Sequence, residues 1–329
     1  MMNTETVIKS NYPDIPDHWR EFANAAVDYM KKQKSDSTKA CYKSDFSLFV
    51  KWCETVQAVS LPAMPIVVCM YIAHLANDGK KTSTIERRLS AIRFAHKIAG
   101  YPTPTTEECV IAAMDGIRNV KGSAPKKKAA ALVWHVEAMI KQCPDTLIGI
   151  RDRALLAICL AGGFRGSEPL SLNIEDLERV PEGFVVFLKK SKTDQAGRGK
   201  KKGIINGEHI RCADLLREWI VQLNNQDIVS GAVFRPVLKN GNIETNEDRC
   251  RLGWRSFYNL LKRYAKQAGF DHTLFGTHSL RRGFVSEAFG HNAPIEDTMG
   301  VTGHESYDQV LGYKQEMDIF RNNPGRLFL

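Results

Sequence analysis

The sequence lacks the features that mark membrane, secreted and disulfide-stabilised proteins. No stretch approaches the ~20 apolar residues that a membrane span needs. The first residues show no basic region followed by an apolar one, as a secretory signal has. The eight cysteines include no Cys-x-x-Cys pair and no close Cys/His cluster, so we expect reduced, mostly buried thiols and no metal site. These absences predict an intracellular, cytoplasmic protein.

The composition is that of a globular protein with an excess of positive charge. The chain has 329 residues, 43% of them hydrophobic and 25% charged, which is enough for about two domains of roughly 150 residues. Lys and Arg number 46 against 37 Asp and Glu, a formal charge of +9. This charge attracts polyanions, and on its own it leaves DNA, RNA and anionic lipid open as partners.

The first third of the chain has an all-helical pattern after a polar stretch. Residues 1–17 show no apolar period, which predicts a flexible arm. Beyond them, Ser83 to Glu86 and Thr105 to Glu108 match the capping box that opens a helix. Apolar residues at helical spacing predict helices at 18–33, 38–56, 64–77, 83–99 and 105–120.

A basic segment containing Gly122 and Pro125 predicts a linker at 122–130 between two domains, 18–121 and 131–329. In the second domain, the apolar run 183–188 and the segment 203–206, with a polar turn between them, predict an antiparallel β-hairpin. The remaining segments predict helices at 133–142, 148–162, 212–224, 251–268, 278–290 and 294–302. The fold class is therefore mainly α, with a small antiparallel β-sheet in the larger domain.

Two short motifs could bind a phosphodiester. Arg165 and Glu168 lie three residues apart, so on a helix the carboxylate would hold the guanidinium. His278 and Arg281 repeat that spacing. Two guanidinium groups and an imidazole can bind phosphate oxygens and stabilise charge that develops at phosphorus. Taken singly, a surface ion pair and a core histidine remain open.

The order of the motifs along the chain is more specific than any one of them. Arg165 with Glu168 comes first, followed by a lysine in a β-hairpin, by His278-x-x-Arg281, by Gly303-His304 and by Tyr313. This order resembles the tyrosine recombinase or phage integrase family, Cre-type site-specific recombinases included. The resemblance implies an N-terminal helical core-binding domain and a larger, mostly helical catalytic domain, which together form a clamp around DNA.

The resemblance implies a role for each matching residue. Tyr313 would attack the scissile phosphate to give a 3′-phosphotyrosine, and Lys192 would protonate the departing 5′ oxygen. Glu168 would orient a cluster that contacts the phosphate, formed by Arg165, Arg281, His278 and His304. A free phenol has a pKa near 10, so such a nucleophile needs a proton acceptor and positive surroundings.

The resemblance also implies partners and an outcome for the reaction. Strand exchange would pass through a Holliday junction in a homo-tetramer on two DNA duplexes with an inverted-repeat site. The chemistry is like that of a type IB topoisomerase, and we expect no metal and no other cofactor. In a bacterium we would expect the protein at the nucleoid.

Some residues match the family pattern less directly. We expect Tyr307 to be a packing residue, and the other hairpin lysines to be solvated or to contact phosphates; these are Lys189, Lys190, Lys200, Lys201 and Lys202. Gly166 and Pro169 stand where the family has aliphatic residues, so we expect a shifted helix start. Arg282 has no assigned role.

Candidate DNA-contacting residues lie on two predicted helices: Arg87, Arg88, Arg251, Arg255, Lys262 and Arg263. For each of them a solvated surface charge remains open, and the linker lysines 126–128 would cross the DNA backbone. The apolar tail at 322–329 is a candidate plug that docks on a neighbouring protomer.

Three other functions explain part of the pattern. A type IB topoisomerase would share the chemistry, although the core-binding resemblance argues against it. A non-catalytic DNA-binding regulator would explain the charge, but it would not need Tyr313 together with the arginines and His278. An RNA-binding protein lacks support, because no aromatic-rich strand motif is present.

Overall fold

The computed structural model describes residues 16–31, 33–122, 128–189, 199–308 and 310–313. The chain divides into two compact units, Met1–Lys126 and Lys127–Leu329. Across the described ranges it is mainly helical, with three strands in an antiparallel sheet, and this confirms the predicted fold class. The predicted plug at 322–329 lies outside the described residues, as does most of the predicted arm.

The α-helices of the smaller unit follow the predicted pattern. They are α1 (Arg20–Lys31), α2 (Asp36–Thr55), α3 (Pro65–Asn77), α4 (Thr82–Ile98) and α5 (Glu108–Lys121). Helices α2 to α5 enclose an apolar core that includes Phe49, Tyr71 and Ile92. Burying a large apolar side chain contributes about 1.5–3 kcal/mol, so this core holds the four helices together.

Both predicted capping boxes are wrong, because Ser83 lies inside helix α4 and the side chains of Glu86 and Thr105 bind other partners, Arg118 and Arg93. Helix α4 already includes Ser83, and the Thr82 hydroxyl donates to the Gly122 carbonyl at 2.8 Å, which ties the start of α4 to the end of α5. Thr105 lies in a 3-10 turn instead of capping α5, and its hydroxyl accepts a hydrogen bond from Arg93 Nε at 2.9 Å. Helix α5 therefore begins further along the chain than predicted.

The larger unit is built around one buried helix. Its α-helices are α6 (Val133–Lys141), α7 (Leu147–Ala161), α8 (Glu168–Ser171), α9 (Cys212–Asn224), α10 (Trp254–Gln267), α11 (Thr277–Gly290) and α12 (Ile295–Thr302). The chain is again helical at 307–308 and 310–313. Every residue of α7 from Ala154 to Leu160 is buried, and the helix packs against α6, α9 and α11. This packing holds the C-terminal end of α7 in place at the site described below.

The sheet confirms the predicted hairpin and adds a strand. Its strands are β1 (Leu177–Val180), β2 (Gly183–Leu188) and β3 (Lys200–Ile205), in that order and antiparallel. Strand β1 has no apolar run, because Glu178 and Arg179 are exposed, and the sequence pattern therefore missed it.

Two further predictions concern cysteines and membranes. All eight cysteines are free thiols, although only four of them are buried. None of the helices in the described ranges is long and apolar enough to cross a membrane.

Candidate active site

Most of the predicted site residues meet where two helices of the larger unit end. Helix α7 ends at Ala161 and is followed by Gly162 and Gly163, and α12 ends at Thr302 and is followed by Gly303. Gly163 and Gly303 have φ values of +52° and +70°, which glycine adopts without steric cost. A Cβ on Gly163 would lie 2.9 Å from Thr302 Cγ2, so the two helix ends are in close contact.

Backbone carbonyls at these helix ends bind two of the predicted arginines. Arg281 Nη1 donates to the carbonyls of Gly163 and Thr302, at 2.9 and 2.5 Å. Arg165 Nη2 donates to the carbonyl of Gly303 at 3.2 Å. The last carbonyls of a helix lack partners within it and carry a partial negative charge. The two helix ends therefore stabilise a pair of neighbouring positive charges.

Arg281 is almost completely buried and only partly hydrogen-bonded. Its side chain is 1% exposed, and its Nε and Nη2 atoms have no hydrogen-bond partner among the described residues. Burial lowers its pKa to about 10, and the charge of Arg165 adds to that effect. Because buried polar groups are normally paired, the two unpaired donors are candidates for hydrogen bonds to an anion.

Arg165 and Glu168 form the predicted pair, but across a turn and not along a helix face. Arg165 precedes α8, and its backbone N–H donates to Glu168 Oε2 at 2.8 Å. Its Nη1 donates to Oε1 of the same carboxylate at 3.1 Å. Glu168 is buried, so it holds the guanidinium in one orientation. Pro169 lies in the first turn of α8, where proline is tolerated.

Gly166 is explained by a close approach of two segments. A Cβ at this position would lie 2.4 Å from Thr277 Oγ1 and 2.7 Å from Thr277 Cβ. The turn after Arg165 therefore packs directly against the first residue of α11. Helix α11 carries His278 and Arg281, so the small residue brings the first arginine to the second.

His278 contacts the predicted nucleophile. Its Nε2 atom lies 3.5 Å from the Tyr313 hydroxyl, at the limit of a hydrogen bond. Partial burial lowers the pKa of His278, and the charges of Arg281 and two other arginines lower it further. The imidazole is therefore neutral at pH 7 and can accept a proton.

His304 is held by a hydroxyl that fixes its tautomer. The Thr302 hydroxyl donates to the Thr298 carbonyl at 2.7 Å, so it can only accept from His304 Nδ1, which is also 2.7 Å away. Burial, together with nearby charges led by Arg281, lowers the pKa of His304 to about 3. The neutral ring therefore carries its proton on Nδ1 and offers Nε2 as an acceptor. Its centroid lies 6.2 Å from that of Tyr313.

Arg282, which sequence reasoning left without a role, contacts the nucleophile. Its guanidinium lies 5.3 Å from the centroid of the Tyr313 ring, within cation–π range. Its Nη1 donates to the carbonyl of Lys128. Tyr307 differs from its expected packing role: it is 45% exposed, and its hydroxyl donates to Glu296 at 3.1 Å.

The hairpin lysines that the structure describes differ in their exposure to solvent. Lys192 and Lys190 lie outside the described residues. Lys189 is exposed and binds Asp176, and Lys201 is exposed as expected, whereas Lys200 is half-buried. Lys202 contradicts the expectation of a solvated charge, because it is 5% exposed and donates to two backbone carbonyls. Sequence gave no signal for this burial beyond the alternation of side chains along β3.

Several predicted DNA-contacting residues also bind groups of the protein. Arg88 donates to the Tyr71 hydroxyl, and Arg251 donates to the carbonyls of Leu170 and Leu172. Arg87 and Arg263, both about half exposed, bind the carboxylates of Asp45 and Asp152. Lys262 lies over the ring of Tyr258, and Arg255 is exposed. Their contacts with DNA stay predictions.

Known proteins resemble this chain along most of its length. The model of the phage integrase family matches residues 134–318. An integrase/recombinase XerD homolog from Selenomonas ruminantium is 34% identical over 300 residues, 89% of this chain and 86% of that protein. A tyrosine recombinase XerD from Pseudomonas putida is 26% identical over 293 residues, 87% of this chain and 88% of that protein.

Solved structures share the fold at low sequence identity. A lambda integrase dimer bound to a COC′ core site has a TM-score of 0.58 at 12% identity, covering 91% of this chain and 95% of that one. The recombinase XerH bound to a palindromic difH substrate, in a post-cleavage complex, has a TM-score of 0.53 at 16% identity, covering 78% and 71%.

The matched family and the identity to a relative along most of the chain settle the class. The chain belongs to the phage integrase family of tyrosine recombinases, enzymes that cleave and rejoin DNA in site-specific recombination. The resemblance inferred from the motif order is thereby confirmed.

Proposed function

We propose that Tyr313 is the nucleophile of this recombinase. Its hydroxyl oxygen bonds to the scissile phosphorus, the bond to the 5′ oxygen breaks, and a 3′-phosphotyrosine and a free 5′-hydroxyl result. Reversal by another 5′-hydroxyl rejoins a strand without an energy source. One observation carries this proposal: the Tyr313 hydroxyl lies 3.5 Å from His278 on helix α11, the helix that also carries Arg281 with two buried nitrogens that have no partner among the described residues.

In this proposal the two arginines bind the non-bridging oxygens of the phosphate. Arg281 offers buried Nε and Nη2 donors, and Arg165 is oriented by Glu168. Preorganised donors of this kind are worth about 10²–10³-fold in rate each, because they need no reorganisation when charge develops.

Two proton transfers complete the reaction. The Tyr313 proton goes to His278, which adjoins the hydroxyl and is neutral at pH 7. His304, with its bare Nε2, is a second acceptor at the phosphate. Lys192 gives a proton to the departing 5′ oxygen. No step calls for a metal or another cofactor.

We further propose that residues 18–121 form a core-binding domain, 122–130 a linker and 131–329 the catalytic domain, and that the two domains clamp duplex DNA. The neighbours named above were solved on DNA, and the net charge of +9 favours the same partner. Arg255 and Lys262 are the best candidates for groove contacts, because Arg88 and Arg251 already bind groups of the protein.

Reciprocal exchange requires two duplexes and four cleavages. We therefore propose a homo-tetramer on two inverted-repeat sites, with strand exchange through a Holliday junction. Such a reaction takes place where the chromosome lies, in the cytoplasm, and at the nucleoid if the host is bacterial.

Covalent capture tests the proposal. Wild type, Tyr313→Phe and the matched control Tyr307→Phe are incubated with a random-sequence duplex library in EDTA, and DNA that stays attached after denaturation is sequenced. We expect an adduct with wild type and Tyr307→Phe, enriched in an inverted repeat, and none with Tyr313→Phe. Equal non-covalent enrichment by all three would favour a regulator, and relaxation of supercoils without joining of two sites would favour a topoisomerase.

A further inference from the structure

Lys202 occupies an unusual place beside the proposed phosphate site. It lies on β3, is 5% exposed, and its ammonium donates to the carbonyl of Gly162 at 2.7 Å and to that of Val301. The ring of Phe164 covers it, with the Nζ atom 4.9 Å from the centroid. Gly162 follows the end of α7, and Val301 lies in the last turn of α12. One side chain therefore bridges the two helix ends that form the site.

Lys202 and Arg281 make the same kind of bridge, one residue apart. Lys202 joins the carbonyls of residues 162 and 301. Arg281 joins those of residues 163 and 302. Residue 163 follows residue 162 and residue 302 follows residue 301. Lys202 and Arg281 therefore connect adjacent pairs of carbonyls at the same two helix ends.

This arrangement makes the position of Arg281 depend on Lys202. Nη1 of Arg281 can bind Gly163 and Thr302 together only while their carbonyls keep the present separation. That contact fixes the orientation of the guanidinium, and with it the orientation of Nε and Nη2, which have no hydrogen-bond partner within the described ranges. Without Lys202, the carbonyls of Gly162 and Val301 would lose their shared donor, and buried carbonyls without a donor destabilise the fold.

We propose that Lys202 is a positioning residue of this recombinase: it fixes the separation of the α7 and α12 ends, and thereby the aim of Arg281 at the scissile phosphate. This inference rests on the proposed role of Arg281. Lys202 itself gives no proton to the DNA, because its ammonium is turned towards the two carbonyls and enclosed by Phe164. The proton donor stays Lys192.

The test measures single-turnover cleavage of a captured target duplex by Lys202→Met and by the matched control Lys201→Met, whose side chain is exposed on the same strand. A displacement of about 1 Å in a catalytic group can cost about 100-fold. We expect a loss of that order for Lys202→Met, with non-covalent DNA affinity within about threefold of wild type, and no loss for Lys201→Met.

A second substrate separates positioning from proton donation. When sulfur replaces the bridging 5′ oxygen, the leaving group needs no proton. We expect the slow rate of Lys202→Met to persist on this substrate, whereas that of Lys192→Met recovers. Recovery by Lys202→Met would overturn the proposal, since it would make Lys202 the acid. If Lys202→Met does not fold, Lys202→Gln takes its place. A wild-type cleavage rate in either variant would also overturn the proposal.

A crystal structure of the Lys202 variant decides the matter without relying on activity. We expect Arg281 to leave at least one of its two carbonyls, and an unmoved Arg281 would contradict the proposal. If wild type forms no adduct with any DNA, the proposed function fails, while this structural result still decides the role of Lys202.

Discussion

Helix α7 has a buried arginine cluster near each end, and the two clusters are neutralised differently. Near its start, Asp152 accepts hydrogen bonds from Arg151, Arg263 and Tyr264. Near its end, Arg281 binds two backbone carbonyls, and two of its nitrogens are left without a partner within the described ranges. The first cluster contains its own carboxylate, whereas Arg281 binds no carboxylate among the described residues.

Arg235 shows that binding to carbonyls alone does not make this difference. It is 6% exposed, and its Nε, Nη1 and Nη2 atoms all donate to backbone carbonyls. In this buried arginine every nitrogen is engaged. The distinguishing mark of Arg281 is the pair of spare donors, which a phosphate of the substrate would complete.

Arg281→Met should have the largest effect on catalysis. It removes both spare donors, so we expect single-turnover cleavage to fall by about 10²–10³-fold. The free energy of unfolding should fall as well, by about 1–3 kcal/mol for each of the carbonyls of Gly163 and Thr302 that loses its donor. Chemical denaturation alongside the cleavage assay checks both values. A large stability loss with normal cleavage would refute the assignment.

Arg151→Met should lower stability and leave cleavage nearly unchanged. It leaves the buried carboxylate of Asp152 without its nearest counter-ion, and breaking a buried pair in this way costs about 3–5 kcal/mol. We expect the unfolding midpoint to fall accordingly, while the folded fraction cleaves DNA within a few-fold of wild type. A cleavage defect as large as that of Arg281→Met would remove the distinction between the two clusters.

Gly166→Ala tests how the first arginine reaches the second. The new methyl would lie 2.4 Å from Thr277 Oγ1, so the turn or the start of α11 must shift, at about 1–3 kcal/mol of stability. The rate of cleavage should also fall, because Arg165 would move with the turn. Gly300→Ala is the control, since a Cβ there meets nothing within 4 Å. Equal behaviour of the two variants would argue against a close approach.

The pH dependence of stability tests the charge on Lys202. Burial lowers its pKa from 10.5 to about 7, against the opposing influence of Glu168; Arg281, Arg165 and Lys200 also face it and lower it further. Between these two pKa values Lys202 is protonated in the unfolded chain and mostly deprotonated in the folded protein. The free energy of unfolding therefore rises with pH, by up to about 1.4 kcal/mol per pH unit. We expect Lys202→Met to lose this rise between pH 7 and 9. Lys201→Met should keep it, and the same slope in all three proteins would count against a lowered pKa of Lys202 in the folded protein.

Arg282→Met should have the smallest effect. Its contact with the Tyr313 ring is worth about 0.5–1 kcal/mol, which corresponds to a roughly two- to fivefold slower formation of the covalent adduct. Arg282→Lys, which keeps the charge, should recover part of the rate. A loss of 100-fold or more would show that Arg282 contacts the DNA or the phosphate itself.

The sequence predicted the helices well, and most of their starts to within one residue, but it assigned the wrong capping residues to α4 and α5. Apolar residues such as Phe49 and Leu89 mark the buried faces, because helical spacing is a local property that survives in the folded chain. At the start of α4, Thr82 donates to Gly122, 40 residues away, and Glu86 of the predicted capping box accepts from Arg118, 32 residues away. A local motif such as a capping box cannot register a partner at that distance.

The same contrast holds at the site. The structure brings together six residues that the motif order predicted for the site: Arg165, Glu168, His278, Arg281, His304 and Tyr313. Lys202 was missed, because its partners Gly162 and Val301 lie 40 and 99 residues away. Arg282 was missed for a similar reason, since its proximity to Tyr313 arises only when the chain beyond α12 packs against α11.

A crystal structure of the Tyr313→Phe variant on its captured duplex would show whether Arg281 binds the scissile phosphate. We expect Nε and Nη2 of Arg281 both to donate to non-bridging oxygens of that phosphate, with Nη1 still on the carbonyls of Gly163 and Thr302. A phosphate bound elsewhere, with both donors of Arg281 still unpaired, would contradict this expectation.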